Sequence, residues 1–327
     1  MAHRRKCRAL CLLLPIVSAA ALVWAAESLL VSPQSSDGRP AGQAASAAEG
    51  THALFGGTKT QLDVFVGIAP LAYLVERVGD ECVTCQVLLR PGQNEHTLAL
   101  TPKQMLALGK AQLLIKAGLP FENRLAERIQ QSHPQLVVVA ADRGIQKRIA
   151  AEHCCDEEDH DHDHHAGEPD PHVWLAPALL RIMATNVADA LEQADPQHAG
   201  QYRQNLGALL KEIDAAQAKV SGLLRSHRGR SFYVFHPAFG YFADAYGLKQ
   251  EAVEAEGKVP TPRQLRALIK KARADGVKII FVQPQFDQRA AQAVAAAIGG
   301  VVVPIDPLAK DVTTNLEEVA VKIARTL

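Results

Sequence analysis

The segment from Glu152 to Asp170 reads E-H-C-C-D-E-E-D-H-D-H-D-H-H-A-G-E-P-D, with five histidines, the adjacent Cys154 and Cys155, and a run of carboxylates. Imidazole, thiolate and carboxylate are the donors that suit zinc and its first-row neighbours. The tract carries too little apolar surface to offset its ordering entropy and is predicted to be a mobile loop over 152–168. Because it is internal and alternates His with Asp, it resembles neither a terminal tag nor a plain solvated acidic face. Its histidines His160, His162, His164 and His165 are candidates for weak, auxiliary metal binding. Four further candidates lie scattered: His96 in Gln93-Asn94-Glu95-His96, His172 in Asp170-Pro171-His172-Val173-Trp174, His236 after Phe232-Tyr233-Val234-Phe235, and Asp306 in Ile305-Asp306-Pro307-Leu308. Three imidazoles and one carboxylate complete a closed tetrahedral zinc shell. Asp306 is the expected carboxylate, and Glu95, beside His96, is its competitor.

These residues need elements that bring them together. Short apolar runs alternate with helical patterns: strands are predicted at 62–68, 86–89, 113–115 and 136–139, with helices at 71–78, from Thr101-Pro102, and at 122–131. Continuous apolar strands between helices indicate parallel sheet covered on both faces. The pattern returns with strands at 232–235, 278–282 and 301–303 and a helix near 239–246. Thr101-Pro102-Lys103-Gln104-Met105-Leu106-Ala107-Leu108 is identical to Thr261-Pro262-Arg263-Gln264-Leu265-Arg266-Ala267-Leu268 at five of eight positions, so two similar lobes are expected. Between them Tyr202, Leu206, Leu209, Ile213, Ala216, Val220 and Leu223 step by three or four, the stripe of one long helix over 195–226. The fold class is therefore α/β: two similar lobes with parallel sheets joined by a single long backbone helix. Ligands in such sheets bind beyond the carboxyl ends of the strands. All four scattered candidates fall there, two in each lobe.

The 327 residues, 48% hydrophobic and 21% charged with zero formal net charge, suit one large or two medium globular domains and give no reason to expect a nucleic-acid partner. Residues 1–25 have the basic start, apolar stretch and small-residue cleavage site of an export signal. An uncleaved anchor stays open. Residues 26–60, rich in Ser, Gly, Ala, Gln and Pro, form a flexible tether. The first lobe is then 61–194, including the His-rich loop, and the second 227–327. No other stretch is apolar and long enough to span a membrane. A Cys82–Cys85 disulfide requires both residues to sit in the turn after Gly79-Asp80, because residues three apart in a strand are separated by about 10 Å.

Pro91-Gly92-Gln93-Asn94-Glu95-His96-Thr97, Pro171-His172-Val173-Trp174-Leu175-Ala176-Pro177, Val234-Phe235-His236-Pro237-Ala238-Phe239-Gly240-Tyr241-Phe242, Gln283-Pro284-Gln285-Phe286 and Ile305-Asp306-Pro307-Leu308 together resemble the solute-binding proteins of zinc and manganese ABC transporters, closest to the periplasmic zinc-binding type. The resemblance covers Leu62 to the C-terminus. It implies a rigid helix joining two lobes and a metal site in the interlobe cleft, with His96, His172 and His236 as histidine ligands and Asp306 as the carboxylate. Manganese members usually carry a carboxylate at the His236 position, which points to zinc. The expected protein is a monomer in the periplasm that captures Zn(2+) as transported ligand and delivers it to the membrane permease of an ABC importer. The alternatives are a manganese or mixed-metal binder, or a metal-dependent adhesin of the same fold. A zinc hydrolase fits poorly: there is no HExxH, and a closed shell leaves no open position. No enzyme activity is expected.

Overall fold

Among the described residues eight short strands, apolar except for β6 and parts of β2, sort themselves into two parallel sheets with one topology. The computed structural model describes residues 61–95, 98–149, 169–254 and 261–327. In the first lobe the elements run β1 (Leu62–Val66), α1 (Ala69–Gly79), β2 (Val83–Val87), α2 (Pro102–Leu108), β3 (Leu113–Lys116), α3 (Pro120–Ser132) and β4 (Val137–Ala140). The second repeats the scheme with β5 (Ser231–Val234), α6 (Gly240–Tyr246), β6 (Lys249–Ala252), α7 (Pro262–Ala274), β7 (Ile279–Val282), α8 (Arg289–Ala297), β8 (Val301–Pro304) and α9 (Val312–Ala324). Strand orders are β2-β1-β3-β4 and β6-β5-β7-β8, all pairs parallel. The order reverses beside β1 and beside β5, so each sheet has its crevice at the carboxyl end of that strand.

The local repeat expected from the sequence is built as a repeat. Thr101 caps α2, accepting from Gln104 N at 3.3 Å while Gln104 Oε1 accepts from Thr101 N at 3.0 Å. Thr261 and Gln264 form the same reciprocal box on α7, at 3.4 and 2.9 Å. Both helices carry proline at their first position, where the absent N–H is no loss.

Between the lobes lie α4 (Pro177–Ala194) and α5 (Ala199–Leu224). The 26 residues of α5 span about 39 Å at 1.5 Å per residue. With the 3₁₀ turns 196–198 and 225–227 at its ends it fills the stretch expected of the long helix. It packs against α4, against α1 of the first lobe and against α9 of the second. Its buried stripe is Tyr202, Leu209, Ile213, Ala216, Val220 and Leu224. Leu224 replaces the expected Leu223, which is 36% exposed, because a 3.6-residue period drifts off any fixed set of three and four. One apolar core runs from β1 and α1 through α4 and α5 to α6 and α9, and smaller cores fill the outer face of each sheet. Polar contacts also cross between lobes: Glu212 of α5 receives Tyr73 and Arg77 of α1 and Thr313 of α9, and Lys310 meets Glu76 at 2.7 Å.

Cys82 and Cys85 are not joined by a disulfide. Cys85 lies inside β2 and Cys82 in the turn before it, so the placement that a bridge requires is not met. Among the described residues no helix is long and apolar enough to cross a membrane. The expected signal, tether and His-rich loop, with Cys154, Cys155, His160, His162, His164 and His165, lie outside the described residues.

Candidate metal centre

His236 follows β5 directly, at the crevice of the second sheet. Its backbone is pinned by the fully buried Gln283, whose Oε1 accepts from His236 N at 2.9 Å and whose Nε2 donates to His236 O at 3.1 Å. Glu254, buried just after β6, takes its Nδ1 at 2.5 Å. The ring stacks on Phe286, with centroids 4.5 Å apart and planes 21° apart. His172 comes from the connection between β4 and α4. Asp170 Oδ1 accepts from both His172 N, at 3.0 Å, and His172 Nδ1, at 2.7 Å. Each imidazole thus gives its Nδ1 proton to a buried carboxylate, which leaves Nε2 as the atom that a metal takes once it carries no proton.

Those two Nε2 atoms lie 3.4 Å apart. Glu95, in the loop after β2, places Oε1 at 3.7 Å from each. The three residues are only 2%, 3% and 3% exposed. An atom equidistant from the corners of a 3.4, 3.7 and 3.7 Å triangle lies about 2.1 Å from each, the length of a zinc bond to nitrogen or oxygen. Tetrahedral donors on such bonds stand about 3.3 Å apart, so the cluster needs to tighten by only a few tenths of an ångström. Glu95, His172 and His236 form the one group of three donors within 4.8 Å of one another among the described residues.

The charges reinforce the geometry. Burial opposes a charge on His172, but Asp170 and Glu95 outweigh it and raise its pKa to about 9. Burial also favours neutral Glu95, yet its pairing with His172 and the nearby His236 hold it down at about 2. At neutral pH the pair is carboxylate and imidazolium, and a cation binding there displaces the proton.

Of the candidates read from the sequence, His172, His236 and Glu95 come together, and His96 lies outside the described residues. Asp306 ends β8 as expected but is not in this cluster. Its Oδ1 accepts from Gln285 Nε2 at 2.7 Å and from Leu308 N at 2.9 Å. The orienting residues Asp170, Glu254 and Gln283 went unread. Asp170 sits two positions before its histidine, a local signal; Glu254 and Gln283 are 18 and 47 positions from theirs. The repeat supplies a clue to Glu254, because Glu95 and Glu254 are buried carboxylates that each follow the second strand of a sheet.

The family model for zinc-uptake complex component A, periplasmic (ZnuA), matches residues 64–325. A putative metal-binding protein of Chlamydia muridarum is 28% identical over 268 residues, covering 81% of this chain and 91% of that protein. The high-affinity zinc uptake system protein ZnuA of Haemophilus influenzae is 27% identical over 309 residues, covering 81% and 90%. A crystal structure of ZnuA aligns with a TM-score of 0.74 at 32% identity, over 81% of this chain and 99% of the other. A ZnuA deletion mutant with zinc bound gives a TM-score of 0.74 and 32% identity, over 81% and 98%. The laminin-binding adhesin of Streptococcus agalactiae, at 22% identity and a TM-score of 0.71 over 81% and 99%, shares the fold.

Proposed function

This chain belongs to the family of periplasmic zinc-uptake component A, and from that premise we propose that it captures zinc on Glu95, His172 and His236 and hands it to the permease of an ABC importer. The observation that carries this reading is the donor triangle, whose edges of 3.4, 3.7 and 3.7 Å suit a zinc ion. Two imidazoles with one carboxylate are donors of zinc's borderline character, and a histidine rather than a second carboxylate at position 236 favours zinc over manganese. His96, adjacent to Glu95 in sequence, is the proposed fourth donor. Asp306, hydrogen-bonded to Gln285 and Leu308, is not one of the proposed donors.

Capture needs donors from both lobes. Glu95 belongs to the first lobe's loops and His236 to the second's, so one ion ties the two together. Residues 1–25 are proposed to export the chain to the periplasm, and the histidines of 152–168 to bind further metal weakly next to the cleft. The protein is proposed to act as a monomer and a carrier, without catalysis. Titrating metal-free protein with zinc against a competing chelator tests this. One tight equivalent is expected in the wild type and none in a His172→Ala, His236→Ala double variant. A tight equivalent that survives in the double variant refutes the assignment.

A further inference from the structure

Arg148 lies outside the donor cluster, yet it closes a set of contacts that ends on His172. Residues 148–149 and 169–170 are the two ends that flank the His-rich stretch. They pair through an antiparallel bridge between Ile149 and Pro169 and through Asp170 N donating to Arg148 O at 2.9 Å. Both ends are then gripped by one phenol of the second lobe. Tyr241 OH accepts from Arg148 N at 2.9 Å and donates to Asp170 O at 2.9 Å. The Arg148 guanidinium, 5.8 Å from the centre of the Tyr241 ring, lies with Nε 3.6 Å from Asp244 Oδ2 and 4.0 Å from Asp170 Oδ2.

The carboxylate between them has its two oxygens divided. Oδ1 serves His172 through both N and Nδ1, and Oδ2 faces the guanidinium. Gly240 makes the approach feasible. A Cβ at that position would stand 1.7 Å from Arg148 Nη1 and 3.1 Å from Asp170 Oδ2, so only glycine leaves the guanidinium its slot beside α6.

We propose that Arg148 is a positioning residue for metal binding: it fixes the plane of Asp170, and through Asp170 the aim of His172, from a seat on the second lobe. This rests on the cleft reading of the zinc site. A buried carboxylate held at one oxygen only can turn, and its histidine turns with it. With Oδ2 paired to a guanidinium 4.0 Å away as well, it keeps Nε2 directed at Glu95 and His236. Because the seat of Arg148 is Gly240, Tyr241 and Asp244 of α6, the same contacts that join the lobes also aim the ligand. Arg148 touches no donor atom of the cluster and acts through Asp170 alone.

The test compares wild type with Arg148→Met, Arg148→Lys and Gly240→Ala as full chains. Zinc affinity is measured by chelator competition, the visible spectrum by cobalt(II) substitution, and the melting temperature on metal-free protein. Outer partners of metal-bound histidines are worth roughly ten- to a hundredfold in affinity. Arg148 acts one contact further out, so Arg148→Met and Gly240→Ala should each weaken zinc binding about tenfold and alter the cobalt spectrum, with Arg148→Lys recovering part of both. Gly240→Ala keeps the positive charge but displaces it and crowds Asp170 Oδ2, so read beside Arg148→Lys it holds the test open even if Arg148→Met folds poorly. Wild-type affinity and spectrum in both variants would overturn the proposal. So would a loss of affinity with an unaltered cobalt spectrum, which would mark Arg148 as scaffold. Failure of the wild type to bind zinc in the cleft would instead refute the site itself.

Discussion

Exchanging Glu95 and Asp306 for alanine, one at a time, separates the two carboxylates that compete for the metal. Four-donor zinc sites are worth roughly 10–16 kcal/mol, so one donor accounts for about 2.5–4 kcal/mol. At 1.4 kcal/mol per factor of ten, that is about a hundredfold or somewhat more in Kd. Two effects pull against each other in Glu95→Ala. The charged donor 3.7 Å from both Nε2 atoms is lost. At the same time one of the two carboxylates that hold a proton on His172 disappears, which eases metal entry. Donor loss dominates because Asp170, hydrogen-bonded to His172 Nδ1 at 2.7 Å, remains. The expected result is about a hundredfold weaker binding. Asp306→Ala removes an acceptor for Gln285 and Leu308 and should change affinity by less than about fivefold, one outer hydrogen bond being worth about 1 kcal/mol. Competition titration with a chromophoric chelator at fixed pH and salt measures both. If Asp306→Ala costs more than Glu95→Ala, the carboxylate is misassigned and the reasoning from the donor triangle fails.

The pKa of His172, raised to about 9, sets a pH dependence. Zinc must displace that proton, so affinity should climb up to tenfold per pH unit from 7 to about 9 and then level off; calorimetry showing a flat profile across that window contradicts the coupling. The metal-free fold has the opposite sign, since a raised histidine pKa contributes stability that is full below 6.5 and lost as pH rises through about 9. Glu122, fully buried, accepts from Ala117 N at 3.1 Å and from Gly118 N and Leu119 N at 2.8 Å each. In Glu122→Gln an amide group must face at least one of those donors, a loss of about 1–3 kcal/mol that thermal melts should register. Trp174, whose ring centroid is 5.3 Å from that of His172, is the sole tryptophan after the expected signal, which holds Trp24. Its emission should change to saturation at one zinc equivalent, with or without residues 152–168; a response lost on that deletion counts against a separate cleft site.

The sequence was legible wherever local physics decides the outcome. The apolar runs became strands, and Thr101 and Thr261 became caps of the same design. His236 lies where a strand end in an α/β sheet should place a ligand. The stripe on α5 drifted by one residue at its end, because packing on α1, α4 and α9 follows the true helical period rather than fixed steps. The sequence motifs point to Asp306 as the carboxylate and leave Glu95 as its competitor. Burial brings Glu95 forward as the candidate: it is 2% exposed with Oε1 3.7 Å from both Nε2 atoms, whereas Asp306 accepts from Gln285 and Leu308. Glu254 and Gln283 were illegible because long-range contacts alone connect them to His236.

Zinc-edge anomalous diffraction from crystals of the zinc-loaded protein, purified without a metal-affinity step, tests the central claim most directly. The account predicts one dominant peak about 2.0–2.2 Å from His172 Nε2, His236 Nε2 and a Glu95 oxygen. A dominant peak on residues 152–168, with these three side chains left uncoordinated, would contradict it.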